Sequence, residues 1–234
     1  MREMLREFSE QSQYFGFVIS VAAYLFGCWL RDKTKLAILN PLLISAALVI
    51  AYLLGVGMDY DTYNKSASYL SWLLTPATVC LAIPLYKQLH LLKEHGAAVA
   101  AAISAGVAAS AASIFLLCKI MDLSHVHYVT LLPKSITTAI GMGVSEEAGG
   151  IVTLTVIGIV LTGLMGNIMG EAVLRLARIT HPVAKGLALG TSAHAVGTAK
   201  ALELGEVEGA MSSLSIAVAG LLTVIVVPIV SGLI

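Results

Sequence analysis

Runs of about twenty apolar residues recur down this chain between short charged clusters, and no other feature constrains its fold as strongly. A helix of that length crosses the ~30 Å hydrocarbon core of a bilayer with every backbone group paired internally. The candidate spans are 14–30, closed by Arg31, Asp32, Lys33 and Lys35; 36–57, with Asn40-Pro41 near its start; 67–86; 97–120; 151–174, closed by Arg175, Arg178 and Lys185; and 212–234. With 58% hydrophobic residues, 12% charged residues and a mean hydropathy of +0.89, the chain is too apolar for a soluble domain. The expected fold class is an all-α polytopic membrane protein: a tail over 1–13, then a single transmembrane domain over 14–234.

Charge and cysteine usage remove several function classes. The formal net charge is zero and the basic residues form no stripe, so nucleic acid is not an expected partner. Cys28, Cys80 and Cys118 each lie inside an apolar run without a CxxC, which argues against a disulfide framework and a thiol-bound metal. GxSxG, HExxH and P-loop patterns are absent, so neither an enzyme nor an ATP-driven pump is expected, and no metal or cofactor is implied.

Two stretches do not read as ordinary spans. Residues 131–150, LLPKSITTAIGMGVSEEAGG, carry Lys134, Ser135, Thr137, Thr138, Glu146 and Glu147. Residues 186–213 set Thr191, Ser192, His194, Thr198 and Lys200 among glycine and alanine, followed by Glu203, Glu206 and Glu208. If 190–201 is helical, Thr191, His194 and Thr198 share one face, suited to lining a small-molecule site. The third span, 67–86, should break at Thr75-Pro76 or Pro84, where freed carbonyls and the Thr75 and Thr78 hydroxyls become available.

Loop charges predict a topology. Arg31, Lys33, Lys35, Lys87, Lys93, Arg175, Arg178 and Lys185 fall on one side, expected to be cytoplasmic, against Lys65 and Lys119 on the other. The count closes only if 131–150 makes no net crossing, as a re-entrant hairpin from outside would. By the same logic 186–207 enters from the cytoplasm and returns, giving about six full spans and two re-entrant or broken-helix elements; eight uninterrupted spans is the alternative. An echo at an offset of sixty residues supports the pairing: Thr138-Ala139, Glu146 and Gly149 align with Thr198-Ala199, Glu206 and Gly209. Two similar elements entering from opposite faces form an inverted repeat, with substrate near the midplane.

Site chemistry follows from these stretches. Pro133 at a helix start, with Lys134, Ser135, Thr137 and Thr138 in its first turns, suits a carboxylate; the alternative is hydroxyls bonded to their own helix and a snorkelling lysine. His194 alone among six histidines lies within an otherwise apolar stretch, and its ordinary pKa of about 6.5 suits a proton carrier or carboxylate partner, unless it simply bonds a neighbouring helix. Glu146, Glu206 and Glu208 either couple protons or cap helices near turns.

Several of these segments carry a family resemblance. Asn40-Pro41-Leu42-Leu43, LLTPATVCLAIPLYKQL (73–89), LPKSITTAIGMGVSEEAGGI (132–151) and ALGTSAHAVGTAKALELGEVEGAMSSL (188–214) together resemble the LrgB/CidB family, which includes YohK-type proteins. The resemblance implies a multi-pass protein of the bacterial inner membrane, often paired with a smaller LrgA/CidA-type membrane partner. It implies either control of holin and murein hydrolase activity, or transport of small organic acids, as in the similar plastid glycolate/glycerate translocator. Ala139 stands where family members commonly have proline, leaving Gly141 and Gly143 to loosen the helix. The expected function is therefore a secondary carrier or facilitator of glycolate, glycerate, lactate or pyruvate; the alternative is an antiholin-like regulator. A homodimer is the expected assembly, its small-residue spans favouring close helix contact.

Overall fold

The computed structural model describes residues 7, 9, 12–34, 39–73, 76, 79–80, 82–87 and 89–234; Thr75 and Thr78 lie outside the described residues. Among them every regular element is helical: α1 (Phe15–Thr34), α2 (Pro41–Val56), α3 (Tyr60–Trp72), α4 (Ala82–Lys87), α5 (Leu89–Ile120), α6 (His125–Leu131), α7 (Thr138–Glu147), α8 (Val152–Leu176), α9 (Pro182–Leu204) and α10 (Glu206–Val230). Among the described residues four helices are long and apolar enough to cross a membrane, namely α1, α8, the 96–120 part of α5, and α10 with its 3-10 extension. Helix α2 is apolar but only 16 residues long, about 24 Å. The chain forms two compact units, Met1–Cys80 and Leu81–Ile234.

In the first unit α1 packs on α2 and α3. The Gly16 amide donates to Ser66 Oγ at 2.8 Å, and the Ser20 and Tyr63 hydroxyls are 2.6 Å apart. Asn40 caps α2 by accepting the Leu42 amide at 2.8 Å, with Pro41 at the first helical position. The polar segment from Asp59 to Lys65 forms the cap and first turns of α3. Asp59 accepts the Asp61 amide at 3.0 Å and so nucleates a helix whose Ser66 and Ala67 are buried. Within the expected span over 67–86, the described residues are helical through Trp72, at Pro76, Val79 and Cys80, and from Ala82 to Lys87.

The second unit contains two hairpins, each followed by a long helix. α6 and α7 measure about 10 and 15 Å, too short to cross. Thr130 meets Ile151 and Thr155, then Leu131 and the Lys134 stem meet Gly158, so α6 runs alongside α8 in the same direction. Gly141 then meets Ile159 and Ser145 meets Thr155, so α7 returns. α9 does the same within one helical segment. Its backbone leaves helical geometry at Ala193 (φ −132°, ψ 17°) and His194 (φ 43°, ψ −136°). Before the break Gly186 abuts Glu208 and Gly190 abuts Ser212 of α10, advancing together; after it Thr198 bonds Ser212 and Leu202 packs on Gly209, running oppositely. A Cβ on Gly197 would stand 2.5 Å from the Leu189 carbonyl oxygen, although eight residues of unbroken helix cover about 12 Å. Residues 182–192 and 195–204 are thus two limbs of a hairpin, and both stretches expected as re-entrant or broken-helix elements are broken into hairpins.

The hairpins enter from opposite ends of this unit. At one end Tyr128 packs with Ile114, Cys118 and Val227, and its hydroxyl donates to the Val230 carbonyl at 3.0 Å. At the other, Val183 and Leu187 pack with Val99, Ile103, Ala210 and Met211. Each return limb is tied to the following helix by buried hydroxyls: Ser145 to Thr155 at 2.6 Å, and Thr198 to Ser212 at 2.7 Å. Apolar side chains left exposed on the long helices, such as Leu161, Met165 and Val173 of α8, are the surface a bilayer would cover.

Candidate functional site

The tips of the two hairpins approach each other beside α5, and a cavity of about 730 Å³ opens there. It follows α5 from Ala98 to Ser113 and is bounded by Lys134 and Ser135 from the first hairpin and by His181 to Ser192 from the second. That volume lies in the ~300–1,000 Å³ range of small-molecule sites. A smaller void of about 10 Å³, room for one water, is lined by both Ser135 and Thr191, so the two tips share a wall.

The polar groups converge at the deep end. Lys134 Nζ donates to Ser135 Oγ at 3.0 Å, and Ser110 Oγ of α5 lies 3.2 Å from the same oxygen. Among the described residues no carboxylate lines the cavity and none pairs with Lys134. Thr191 Oγ1 is fully buried and has no hydrogen-bond partner among the described residues. An ammonium group without a counter-ion and an unanswered hydroxyl are both costly in an apolar setting.

Of the expected site residues, Lys134, Ser135, Thr191 and Ser192 meet at this cavity. Others serve elsewhere, for identifiable reasons. Because the chain reverses at residues 193–194, Thr191, His194 and Thr198 do not share one helix face. His194 Nε2 lies 2.9 Å from the Ile159 carbonyl and, with Thr198 bonded to the His194 carbonyl at 3.0 Å, braces the turn. Pro133 does not open a helix. Leu131 and Pro133 carbonyls accept the Lys134 and Ile136 amides at 3.1 and 3.3 Å, making a turn, and the next helix begins at Thr138 with Thr137 as its cap residue. Thr137 and Thr138 therefore stand beyond the turn, and neither lines the cavity. Glu146 and Glu206 are exposed at the outer ends of their hairpins.

Gly106, Ser110 and Ser113 escaped the sequence reading although all three line the cavity. Their i, i+4, i+7 spacing puts them on one face of α5, a signal obscured by the surrounding alanines. Gly106 matters sterically, since a Cβ there would stand 2.5 Å from the Thr191 methyl carbon.

Membrane-length helices joined to two opposed re-entrant hairpins around an internal polar site define a polytopic membrane protein. The sequence matches the profile of the LrgB-like family over residues 20–233, and the chain belongs to that family. It is 39% identical to the antiholin-like protein LrgB of Bacillus subtilis (strain 168) over 222 residues, 94% of this chain and 96% of that protein. The antiholin-like LrgB proteins of Bacillus cereus (strain B4264) and Bacillus anthracis (strain CDC 684 / NRRL 3495) are 37% identical over 221 residues, covering the same shares of each chain. No solved structure matches it.

Proposed function

We propose that this chain is an antiholin-like regulator working in a bacterial inner membrane. The supporting observation is its near full-length similarity to proteins of that name. The family resemblance supplies the content: control of murein hydrolase activity and lysis together with an LrgA/CidA-type partner. Expression with and without such a partner, in a host lacking its own copies, tests this. The expected result is a partner-dependent change in lysis rate and in murein hydrolase activity on zymograms; no change in either overturns it.

A second reading is favoured by the cavity itself: carriage of small monocarboxylates such as glycolate, glycerate, lactate or pyruvate. A carboxylate in hydrocarbon needs a cation and hydroxyl donors, and Lys134, Ser110, Ser135 and Thr191 supply them beside two opposed hairpins, an arrangement common in secondary transporters. Lys134 is the cation this reading needs, with His194 engaged by Ile159. Flux of radiolabelled acids into proteoliposomes across a pH gradient should be saturable and should disappear in Lys134→Gln. Absence of flux for all four acids, with folded protein, removes the transport reading. A lysis effect that survives Lys134→Gln belongs to regulation alone.

A further inference from the structure

A separate cavity, of about 330 Å³, is used by neither reading. It forms where α8 ends and α9 begins, with the return limb of α9 closing it at Leu204. Among the described residues Arg175, Arg178 and Lys185 line it, against one carboxylate, Glu171. That carboxylate is already taken: Arg175 bonds it at 2.8 Å and Lys200 stands 3.2 Å away. Lys185 reaches only 3.9 Å from Glu208, and the Arg178 side chain makes no hydrogen bond or ion pair among the described residues. Positive charge is thus in excess, and a guanidinium with five donors is free to take two oxygens at once.

The backbone reinforces this. α8 ends with the Ile179 amide bonded to the Leu174 carbonyl at 2.9 Å and the Arg178 amide to the Arg175 carbonyl at 3.1 Å, a termination that puts residue 178 in the left-handed region, at φ 56°. Glycine is the usual occupant of that position. An arginine there gives up backbone ease and gains a side chain over the cavity. Its floor is apolar: Leu174, Ile179 and Leu204 belong to one cluster. Cations above an apolar floor, at the basic end of a spanning helix, match a phosphate that carries an apolar tail.

We propose that this cavity is a phosphate site, and that its occupant is the headgroup of an anionic phospholipid from the leaflet on the Arg175–Lys185 side. Binding is measured by native mass spectrometry and thermal shift on purified protein supplied with phosphatidylglycerol, phosphatidylcholine or inorganic phosphate. Phosphatidylglycerol should be retained and should raise the melting temperature, with phosphatidylcholine giving neither effect. Arg178→Gln should weaken retention about ten- to hundred-fold, the range for one or two charge-assisted bonds, and Arg178→Lys should restore part of it. Arg178→Gly separates binding from folding, since it suits the backbone yet removes the guanidinium: it should fold at least as well and still lose the lipid. Stabilisation by inorganic phosphate equal to that by the lipid keeps the phosphate site but assigns it a soluble ligand. Equal retention of phosphatidylcholine, or unchanged phosphatidylglycerol retention in Arg178→Gly, overturns the site.

Discussion

Two threonines only seven residues apart are expected to behave oppositely when their hydroxyls are removed. Thr198 is fully buried and holds Ser212, itself fully buried, at 2.7 Å. Thr198→Val strands that serine and should cost about 1–3 kcal/mol. Thr191 has no partner to strand, so Thr191→Val should leave stability unchanged or raise it by up to about 1 kcal/mol, while weakening any ligand of the cavity. Thermal unfolding in detergent compares the two, and equal destabilisation would make Thr191 a structural residue. Polar character alone did not separate these roles. Lys134, Ser135, Thr191 and Ser192 were legible because polar groups in an apolar stretch need partners. The bracing of His194 was not, because its bond to Ile159 exists only once the chain reverses.

At the level of elements, the hairpins were legible from charge bookkeeping, but the position of their turns was not. A helical reading of 190–201 was reasonable on local grounds, since no proline interrupts it. What breaks it is packing: residues 186, 190 and 197 are glycines that allow backbone to meet backbone, against Glu208, Ser212 and Leu189 respectively. The short helix α7 owes its start to Thr137, extended at ψ 148°, rather than to Pro133. Close approach at the glycines carries a prediction. Gly190→Val and Gly197→Val should each destabilise the protein by at least about 1–3 kcal/mol through overpacking, seen as a lower melting temperature and less folded protein recovered from membranes. Gly143→Ala, which meets open space, should be tolerated or slightly stabilising. Similar behaviour of all three variants would mean that the limbs of α9 are not held at backbone contact.

Across the second unit, the hairpins make the architecture an inverted pair. Each comprises a short hairpin and one helix of membrane length, and in the expected topology the second copy begins on the side where the first ends. The sixty-residue echo between 138–149 and 198–209 falls on corresponding parts, the return limb and the turn or helix start after it. A buried hydroxyl pair ties return limb to following helix in each half, Ser145–Thr155 and Thr198–Ser212, at positions the sixty-residue offset does not relate. Loop charges predict the sides: Arg175, Arg178 and Lys185 inside, and the segment around Asp122 and Ser124 outside. Labelling with a membrane-impermeant thiol reagent distinguishes this from continuous crossings, using single cysteines in a background where Cys28, Cys80 and Cys118 are replaced. Ser124→Cys and Gly149→Cys flank the first hairpin and should both react from outside, whereas Arg178→Cys and Gly205→Cys flank the second and should react only from inside. If α6 and α7 together crossed the bilayer, position 149 would switch sides relative to 124. If the two limbs of α9 formed one straight span, position 205 would switch relative to 178. Either switch would abolish the inverted relation, and with it the expectation that the cavity is approached by one hairpin from each side.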